Sequence, residues 1–298
     1  MHSPSSKMNK IGISTRWEMK HPEILEHLIS CLLKSDKEIF LSEKSREHLL
    51  KEHTDLKDIS DMPKNEKLDL LIVLGGDGTI LSSIRKLSSF NTYIFGINAG
   101  DFGFLSEVPP MDLEDTCTRL WNEDYTIDER MLLSAEIRKK SGKKKTYLAL
   151  NEVVISQSTI SRLINLPTKI DGVLLTSYRA DGLILATPTG STAYNLSAGG
   201  PIVHPRVQAF ILTPIAPFSL TQKPVVVPAD KTVSLEIVDC NRDDTVITFD
   251  GQIHESLACG DTVHIQRYHE TAKFLRFPEE RYFTTLRKKL KWGEGGEE

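Results

Sequence analysis

The segment 70–81, with the sequence LLIVLGGDGTIL, constrains the fold of this chain more than any other. Five consecutive apolar residues run into the pentapeptide GGDGT at 75–79, and apolar residues at helical spacing follow. This order predicts a buried strand, a glycine turn and a helix, the repeating unit of α/β folds. Glycines let a ligand approach the backbone, and the amides at a helix N-terminus attract phosphate.

Asp77 stands in the middle of this loop and determines its chemistry. A carboxylate there would repel phosphate unless it engages a metal ion or a reacting hydroxyl. A phosphate loop that carries an acid therefore predicts phosphoryl transfer, with Asp77 as general base or metal partner. A plain strand-to-helix turn, with Asp77 as a helix cap, is the alternative at this point.

The 298 residues show two different patterns of strand-like and helical segments, which predict two domains. From 9 to 108 strand-like and helical patterns alternate, which predicts an α/β domain with a parallel sheet. From 109 to 274 short strand-like runs and frequent prolines predict a β-rich domain. Helical spacing returns near the end, and we expect 275–292 to join the first domain. The ranges predicted as helices are 21–34, 42–52 and 80–87, and single strands are predicted at 147–156 and 261–266, among others.

The composition excludes several classes of protein. The formal net charge of −4 gives no overall attraction to nucleic acid or to an anionic membrane. No apolar run is long enough to span a bilayer, and the N-terminus lacks a signal-peptide core, so we expect a cytoplasmic protein. The four cysteines show no CxxC spacing, which predicts free thiols and no structural zinc site. The basic run at 138–145 surrounds a Ser-Gly turn signal, which favours a hairpin tip over a nucleic-acid patch.

Two further segments follow strand-like runs and carry groups suited to a nucleotide. The loop NAGDFGFL at 98–105 places Asn98 at the end of a strand and offers Phe104 as an apolar wall. Two glycines that merely turn the chain are the alternative there. Asn151 and Glu152 stand side by side at a strand edge, where ribose hydroxyls can donate to the carboxylate. A surface pair is the alternative for that dipeptide.

The segment 179–201, RADGLILATPTGSTAYNLSAGGP, gathers hydroxyl side chains around one aromatic ring. Such residues suit a pocket that takes a flat base, and a Ser/Thr-rich loop capping a short helix is the alternative. The Asp-Gly-Gln turn at 250–252 is a hairpin signal that also offers polar groups. The sequence contains no HExxH spacing, no Walker loop and no nucleophile elbow.

Taken together, these segments resemble the NAD kinase family. Four blocks match in order, namely GGDGT at 75–79, the loop at 98–105, the Asn-Glu pair at 151–152 and the segment 181–201. The GGDGT loop alone is shared with lipid kinases, whereas the block TPTGSTAYNLSAGGP together with the Asn-Glu pair is specific. The resemblance covers about residues 10–290.

The resemblance implies an enzyme that transfers the ATP γ-phosphoryl group to the adenosine ribose 2′-hydroxyl of NAD. It implies Asp77 as the base, a phosphate loop lined by Gly76, Gly78 and Thr79, and Mg²⁺ or a similar ion held mainly by ATP, with no metal-ligating residue assigned. Because members of the family are usually dimers or tetramers, a homodimer or homotetramer is expected. The residues implied in binding NAD or ATP are Asn98, Phe104, Asn151, Glu152, Arg179, Asp181, Thr189, Thr192, Ala193, Tyr194, Ser197, Ala216 and Gln252.

Two other functions compete with this one. A lipid kinase of the diacylglycerol type would share only the glycine-Asp loop, and no amphipathic membrane-facing segment supports it. A non-catalytic pyridine-nucleotide sensor would have the same fold without needing Asp77. The sequence leaves open whether ATP or inorganic polyphosphate is the donor, and whether NAD or NADH is the preferred acceptor.

Overall fold

The computed structural model describes residues 8–15, 22–50, 59–62, 67–87, 89–98, 103–106, 113–157, 163–238, 245–278 and 282–293. The chain divides into two compact units. We call Met1–Asp128 with Ala272–Glu298 the α/β unit, and Glu129–Thr271 the β unit. Their architectures confirm the predicted fold class of a parallel α/β part and a β-rich part. In the described parts of the chain, no helix is both long enough and apolar enough to cross a bilayer.

The elements up to residue 121 are β1 (Lys10–Thr15), α1 (Pro22–Leu33), β2 (Glu38–Leu41), α2 (Glu43–Leu50), β3 (Ser60–Asp61), β4 (Leu70–Leu74), α3 (Asp77–Ile84), β5 (Tyr93–Ile97) and α4 (Leu113–Trp121). The later elements are β6 (Thr126–Arg138), β7 (Lys144–Ala149), β8 (Glu152–Gln157), β9 (Ile164–Ile170), β10 (Val173–Ala180), β11 (Gly182–Ala186), a 3₁₀ turn (Thr189–Thr192), α5 (Tyr194–Ser197), β12 (Ala209–Ile215), β13 (Val225–Pro228), β14 (Val233–Glu236), β15 (Thr245–Phe249), β16 (Ile253–Leu257), β17 (Thr262–Arg276) and α6 (Tyr282–Leu290).

The sheet of the α/β unit is parallel, and β4 runs through it between β1 and β5. All five residues of β4 are buried, which is why its sequence is continuously apolar rather than alternating. Strand β2 extends the sheet beyond β1, and the end of β17 pairs with β5 through Lys273 and Phe274. Helices α1 and α4 pack against each other and share one apolar core with this sheet. The carboxyl ends of β4 and β5 therefore lie side by side, where ligands of such sheets bind.

The β unit contains antiparallel strands in two groups. One group has the order β13-β12-β11-β8-β15-β16, and the other contains β10-β9-β14-β17, with β6 pairing β17 and β7. The buried faces of both groups share one apolar cluster, which includes Ile155, Leu185 and Phe249. The predicted hairpin tip at 138–145 is confirmed, since the Gly142 amide donates to the Lys139 carbonyl between β6 and β7.

Several sequence-based boundaries are wrong, each for a long-range reason. The predicted strand 147–156 is broken at 150–151, because the amides there donate to the carboxylate of Asp250 rather than to a neighbouring strand. Helix α3 begins at Asp77 and ends at Ile84, earlier than the predicted 80–87. Strand β17 continues from Thr262 to Arg276, far beyond the predicted 261–266. Helix α4 is not anticipated at all, because Thr116 and Cys117 complete its buried face and blur the apolar spacing.

The cysteines only partly follow the expectation of free thiols. Cys31 and Cys117 are free and buried. Cys259 takes part in a disulfide, so the expectation is wrong for that residue.

The chain after β11 folds directly onto the break between β7 and β8. The Thr187 amide donates to the Asn151 carbonyl at 2.8 Å, and its hydroxyl donates to the Leu150 carbonyl at 2.6 Å. Gly190 then passes so close that a Cβ there would lie 2.1 Å from the Asn151 carbonyl oxygen. Only glycine permits this contact of backbone with backbone.

We expect Gly190→Ala to destabilise the chain by about 3 kcal/mol, since neither backbone segment can yield as a flexible side chain would. The measurement is a urea unfolding curve followed by circular dichroism. Gly76→Ala is the matched control, because Gly76 has a φ of −84° and a Cβ there meets nothing within 4 Å. The control is expected to cost less than about 1 kcal/mol. Equal midpoints for the two variants would contradict the close contact.

Candidate active site

The GGDGT loop connects the end of β4 to the first turn of α3. The Gly75 amide donates to the Ile97 carbonyl at 2.9 Å and so keeps the loop beside the end of β5. Gly76 is the N-cap of α3, and its carbonyl accepts the amides of Thr79 and Ile80 at 2.9 and 3.2 Å. Gly78 is exposed on the first turn. The loop thus presents the positive end of a helix dipole at the carboxyl edge of the sheet.

The carboxylate of Asp77 is held by the second loop rather than by its own helix. Its Oδ2 accepts the Phe104 amide at 2.9 Å, and its Oδ1 accepts the Leu105 amide at 3.0 Å. A Cβ on Gly103 would lie 2.0 Å from Oδ1, so glycine is required for this approach. The cap interpretation of Asp77 is not supported, because α3 has no side-chain cap hydrogen bond. Each carboxylate oxygen accepts one of these amides and retains a lone pair for a further proton or cation.

The second loop is fixed from its other side as well. Arg276 donates through Nη2 to the Phe104 carbonyl at 3.3 Å and through Nε to Asp128 at 3.4 Å. The Phe104 ring lies 6.4 Å from the Tyr282 ring of α6. Asn98, at the end of β5, is buried. These contacts explain how a short loop holds the Asp77 carboxylate in one orientation.

In the β unit, Asp250 organises the Asn-Glu pair. Asp250 and Gly251 both have positive φ, 50° and 61°, as a type I′ hairpin turn requires. The Asp250 carboxylate accepts the amides of Leu150, Asn151 and Glu152 at 3.0, 2.7 and 3.2 Å. Three backbone donors on one buried carboxylate fix the residue at which β8 begins. They therefore also fix the position of Glu152, the first residue of that strand.

Glu152 is a buried acid with an unused oxygen. Glu152 is only 5% exposed, and its Oε2 has no hydrogen-bond partner among the described residues. Burial and, after it, the neighbouring Asp250 charge raise the pKa of Glu152, and the Tyr194 amide opposes both by donating to the carboxylate. The net result is a pKa of about 8. A buried acceptor without a donor is costly in the free chain, and a ligand hydroxyl would satisfy it.

The hydroxyl-rich segment forms a rigid turn beside Glu152. Asn195 is fully buried, donates to the Ser191 and Pro201 carbonyls at 3.1 Å, and accepts the Thr213 hydroxyl at 2.7 Å. Neither the 3₁₀ turn nor α5 has a side-chain cap, so the helix-capping alternative is not supported. Tyr194 is left 45% exposed, which makes its ring available to a ligand.

The other predicted residues of this turn lie on the same short stretch. Thr189 is buried and accepts a hydrogen bond from Arg130 Nη1 at 3.3 Å. The Thr192 hydroxyl donates back to the Thr189 carbonyl at 3.3 Å. Ala193 is half-buried and Ser197 is exposed. The structure thus brings together Asn151, Glu152 and the predicted residues from 189 to 197.

Three predicted residues lie at the other end of β11. The register places Ala186 opposite Glu152, whereas Gly182 lies opposite Ile215. Arg179, Asp181 and Ala216 flank the Gly182 end, roughly 13 Å along the strand from Glu152. All three are exposed, and the Arg179 guanidinium lies 4.6 Å from the Phe218 ring. Gln252 is exposed on the turn that follows Asp250.

Three residues that hold predicted site residues in place are not predicted as such from the sequence, namely Asp250 and Arg130 in the β unit and Arg276 in the α/β unit. Asp250 was visible only as part of a turn signal, although an Asp-Gly turn with positive φ is where a carboxylate can fold back onto amides. Arg130 and Arg276 carry no local signal, because each acts on a residue that is distant in the sequence.

Comparison with known proteins gives the same family for both halves of the chain. The profile of the ATP-NAD kinase N-terminal domain matches residues 21–125, and that of the ATP-NAD kinase C-terminal domain matches residues 150–277. The NAD kinase of Geotalea daltonii is 37% identical over 271 residues, which is 91% of this chain and 94% of that protein. The NAD kinase of Koribacter versatilis is 42% identical over 226 residues, covering 76% of this chain and 79% of that protein.

Solved structures agree with the sequence relatives. The crystal structure of yeast NADH kinase complexed with NADH has a TM-score of 0.90 and 25% identity, covering 98% of this chain and 90% of that chain. The NAD kinase of Archaeoglobus fulgidus in complex with ATP has a TM-score of 0.71 and 27% identity, covering 94% and 98%. With both domain profiles matched in order and curated relatives aligned over most of their length, this chain belongs to the NAD kinase family.

Proposed function

We propose that this chain transfers the γ-phosphoryl group of ATP to the 2′-hydroxyl of the adenosine ribose of NAD, giving NADP, with Asp77 as general base. The family supplies the reaction, and one observation supports the role of Asp77. Its carboxylate is fixed by two backbone amides beside the first turn of α3, where a phosphate would be bound. The match over residues 150–277 also removes the reason for the lipid-kinase alternative, which rested on the loop alone.

The chemistry needs a base because a ribose hydroxyl is a poor nucleophile at neutral pH. An Asp77 oxygen accepts the hydroxyl proton as the hydroxyl oxygen attacks the γ-phosphorus, and ADP leaves. In this proposal Gly76, Gly78 and Thr79 line the phosphate site at the N-terminal end of α3, where the helix dipole attracts phosphate oxygens. Because the carboxylate is already oriented by its two amide donors, little reorganisation is required during the proton transfer.

The reaction also requires a divalent cation, which we propose to be Mg²⁺. Carboxylate oxygens are the hard ligands that Mg²⁺ prefers, and Asp77 retains acceptor capacity on both. In the described parts of the chain, no set of three His, Cys, Asp or Glu side chains gathers around this loop. In this proposal the ion is held mainly by ATP oxygens, and when bound it would neutralise charge that develops on the phosphates.

The β unit supplies the NAD-binding groups in this proposal. The buried Glu152 carboxylate accepts ribose hydroxyls, Asn151 adds an amide, and Tyr194 offers an exposed ring. Thr189, Thr192, Ala193 and Ser197 shape the same stretch. Asn98, Phe104, Arg179, Asp181, Ala216 and Gln252 stay predicted ligand contacts, and the cytoplasmic location stays a prediction.

We also propose that the protein is a homo-oligomer. Strand β10 ends its group of strands in the described sheet, and its residues Val173, Leu174 and Leu175 are 72%, 60% and 38% exposed. Three consecutive exposed aliphatic side chains on an edge strand are unusual for a monomer. A second copy of this chain would bury them by edge-to-edge pairing.

Asp77→Asn tests the base and separates a kinase from a non-catalytic sensor. We expect kcat to fall by about a hundred- to ten-thousand-fold, because an amide cannot accept the hydroxyl proton. NADP formation from NAD, ATP and Mg²⁺ is measured by chromatography, with polyphosphate and NADH as parallel donor and acceptor. Asp124→Asn, an exposed carboxylate paired with Arg119, is the matched control and should keep its activity. Undiminished turnover in Asp77→Asn would refute the assignment.

Glu152→Gln tests the buried acid through the pH dependence of stability. The pKa of Glu152 is about 8 in the folded chain against 4.5 ordinarily, so the folded chain binds the extra proton between these values. This residue therefore lowers the stability of the ligand-free chain as the pH rises from about 5 to about 8. We measure the free energy of unfolding in urea at several pH values. As the pH rises over this window, the free energy of unfolding of Glu152→Gln should increase relative to that of the wild type. Glu236→Gln, on the exposed face of β14, should run parallel to the wild type.

The same variant tests ligand binding. Ribose hydroxyls that donate to Glu152 favour its ionised form, so the affinity of the wild type for NAD should rise with pH, by up to about tenfold per unit below pH 8. Glu152→Gln should lose this slope in calorimetric titrations. An affinity that falls with rising pH would instead mean that the protonated carboxyl donates to the adenine edge.

Leu174→Glu tests the oligomer. Charge on the exposed face of β10 should reduce the sedimentation mass from a multiple of 33.5 kDa to that of one chain. Val207→Glu is the control, because Val207 is 46% exposed but lies outside the strands. A wild-type mass equal to one chain would refute the proposal.

A further inference from the structure

A cluster of potential metal ligands lies in the α/β unit on α1 and α4. His27 and Cys31 are four residues apart on α1, and Glu114 and Cys117 are three apart on α4, so each pair lies on one face of its helix. The two helices pack together, and the ligand atoms of His27, Cys31 and Glu114 all lie within 4.8 Å of one another. The Cys31 thiol is also a hydrogen-bond partner of the Cys117 thiol.

We propose that His27, Cys31 and Glu114 form a zinc site that links α1 to α4, with Cys117 or a water molecule as the fourth ligand. Imidazole nitrogen, thiolate sulfur and carboxylate oxygen are the three ligand types that Zn²⁺ accepts in a tetrahedral arrangement. The site differs in kind from the Mg²⁺-ATP requirement of the kinase reaction, because a thiolate is a soft ligand that Mg²⁺ does not select.

The surroundings fit this chemistry. Lys34 Nζ donates to a Glu114 carboxylate oxygen at 2.9 Å, so this ion pair orients the carboxylate at the rim of the cluster. Cys31 is buried at the helix interface, whereas His27 and Glu114 are exposed at its rim, which gives a cation a way in.

Binding can be written as a balanced exchange. Zn²⁺ forms a bond to the Cys31 sulfur, and the thiol proton passes to solvent. The His27 imidazole and the Glu114 carboxylate each contribute a lone pair, and neither is oxidised or reduced. The affinity should therefore increase with pH, because each zinc ion bound displaces at least one proton.

The experiment uses the full chain without a histidine tag, stripped with a chelator and handled under argon without a reductant, so that the disulfide of Cys259 stays intact. Zinc chloride is titrated by calorimetry, and the bound metal is counted by elemental analysis after dialysis. We expect one Zn²⁺ per chain and a rise in Tm on binding, because the cation links two helices of the folded state. Magnesium chloride at the same concentration should give neither effect.

His27→Gln is the decisive variant, because His27 is exposed and its replacement leaves the core intact. We expect it to weaken Zn²⁺ binding about a hundredfold and to abolish the Tm rise. Glu114→Gln should act in the same direction, and Cys31→Ser should weaken the thiolate charge-transfer absorption of the Co²⁺-loaded chain. His254→Gln, at an exposed histidine on β16, is the matched control and should bind like the wild type. Absence of stoichiometric Zn²⁺ binding, or equal affinity in His27→Gln and His254→Gln, would overturn the proposal.

Discussion

The three backbone amides that converge on the buried Asp250 carboxylate are the interaction on which the β unit's site depends. They end β7, start β8, and leave the Asn151 carbonyl where the Thr187 amide and Gly190 can reach it. Charge-assisted hydrogen bonds of this kind are about twice as strong as neutral ones. The same carboxylate adds to the effect of burial in raising the pKa of Glu152, so one residue fixes the position of the buried acid and also contributes to its protonation state.

In the α/β unit, backbone amides likewise orient the carboxylate of Asp77. A carboxylate in a phosphate loop would repel its ligand if it were free to swing toward it, but here the amides of Phe104 and Leu105 hold it. Gly103 makes that contact possible, and Arg276 holds the loop that provides the donors. In both units, therefore, an acid is oriented by backbone donors from another segment. Because each acid is already oriented before the ligand binds, less entropy is lost when the acid and the substrate are aligned for reaction.

The parts of the site that the sequence predicts are those encoded within one element. The buried β4, the GGDGT turn and α3 form one contiguous signal, and the resemblance of four blocks adds the family. The break at 150–151 is invisible locally, because its cause lies 100 residues away in Asp250. Helix α4 is missed because Thr116 and Cys117 complete its buried face. Without α4 the cluster of His27, Cys31 and Glu114 cannot be predicted either. His27 and Cys31 have helical spacing on α1, but Glu114 is distant from them in the sequence.

The Glu152 oxygen that has no hydrogen-bond partner among the described residues bears on which ligands this protein would select. Leaving a buried acceptor without a donor costs roughly 1–3 kcal/mol in the free chain, and a ligand recovers that energy only if it brings a donor to this point. A site of this kind discriminates strongly against analogues that lack the hydroxyl, since the unpaired oxygen stays unpaired in their complexes. In the proposed binding mode, selectivity comes from a buried acid that Asp250 supports, and recognition would depend on the ligand's own donors. On this proposal, the cost of the buried acceptor in the free chain would be the physical origin of the specificity.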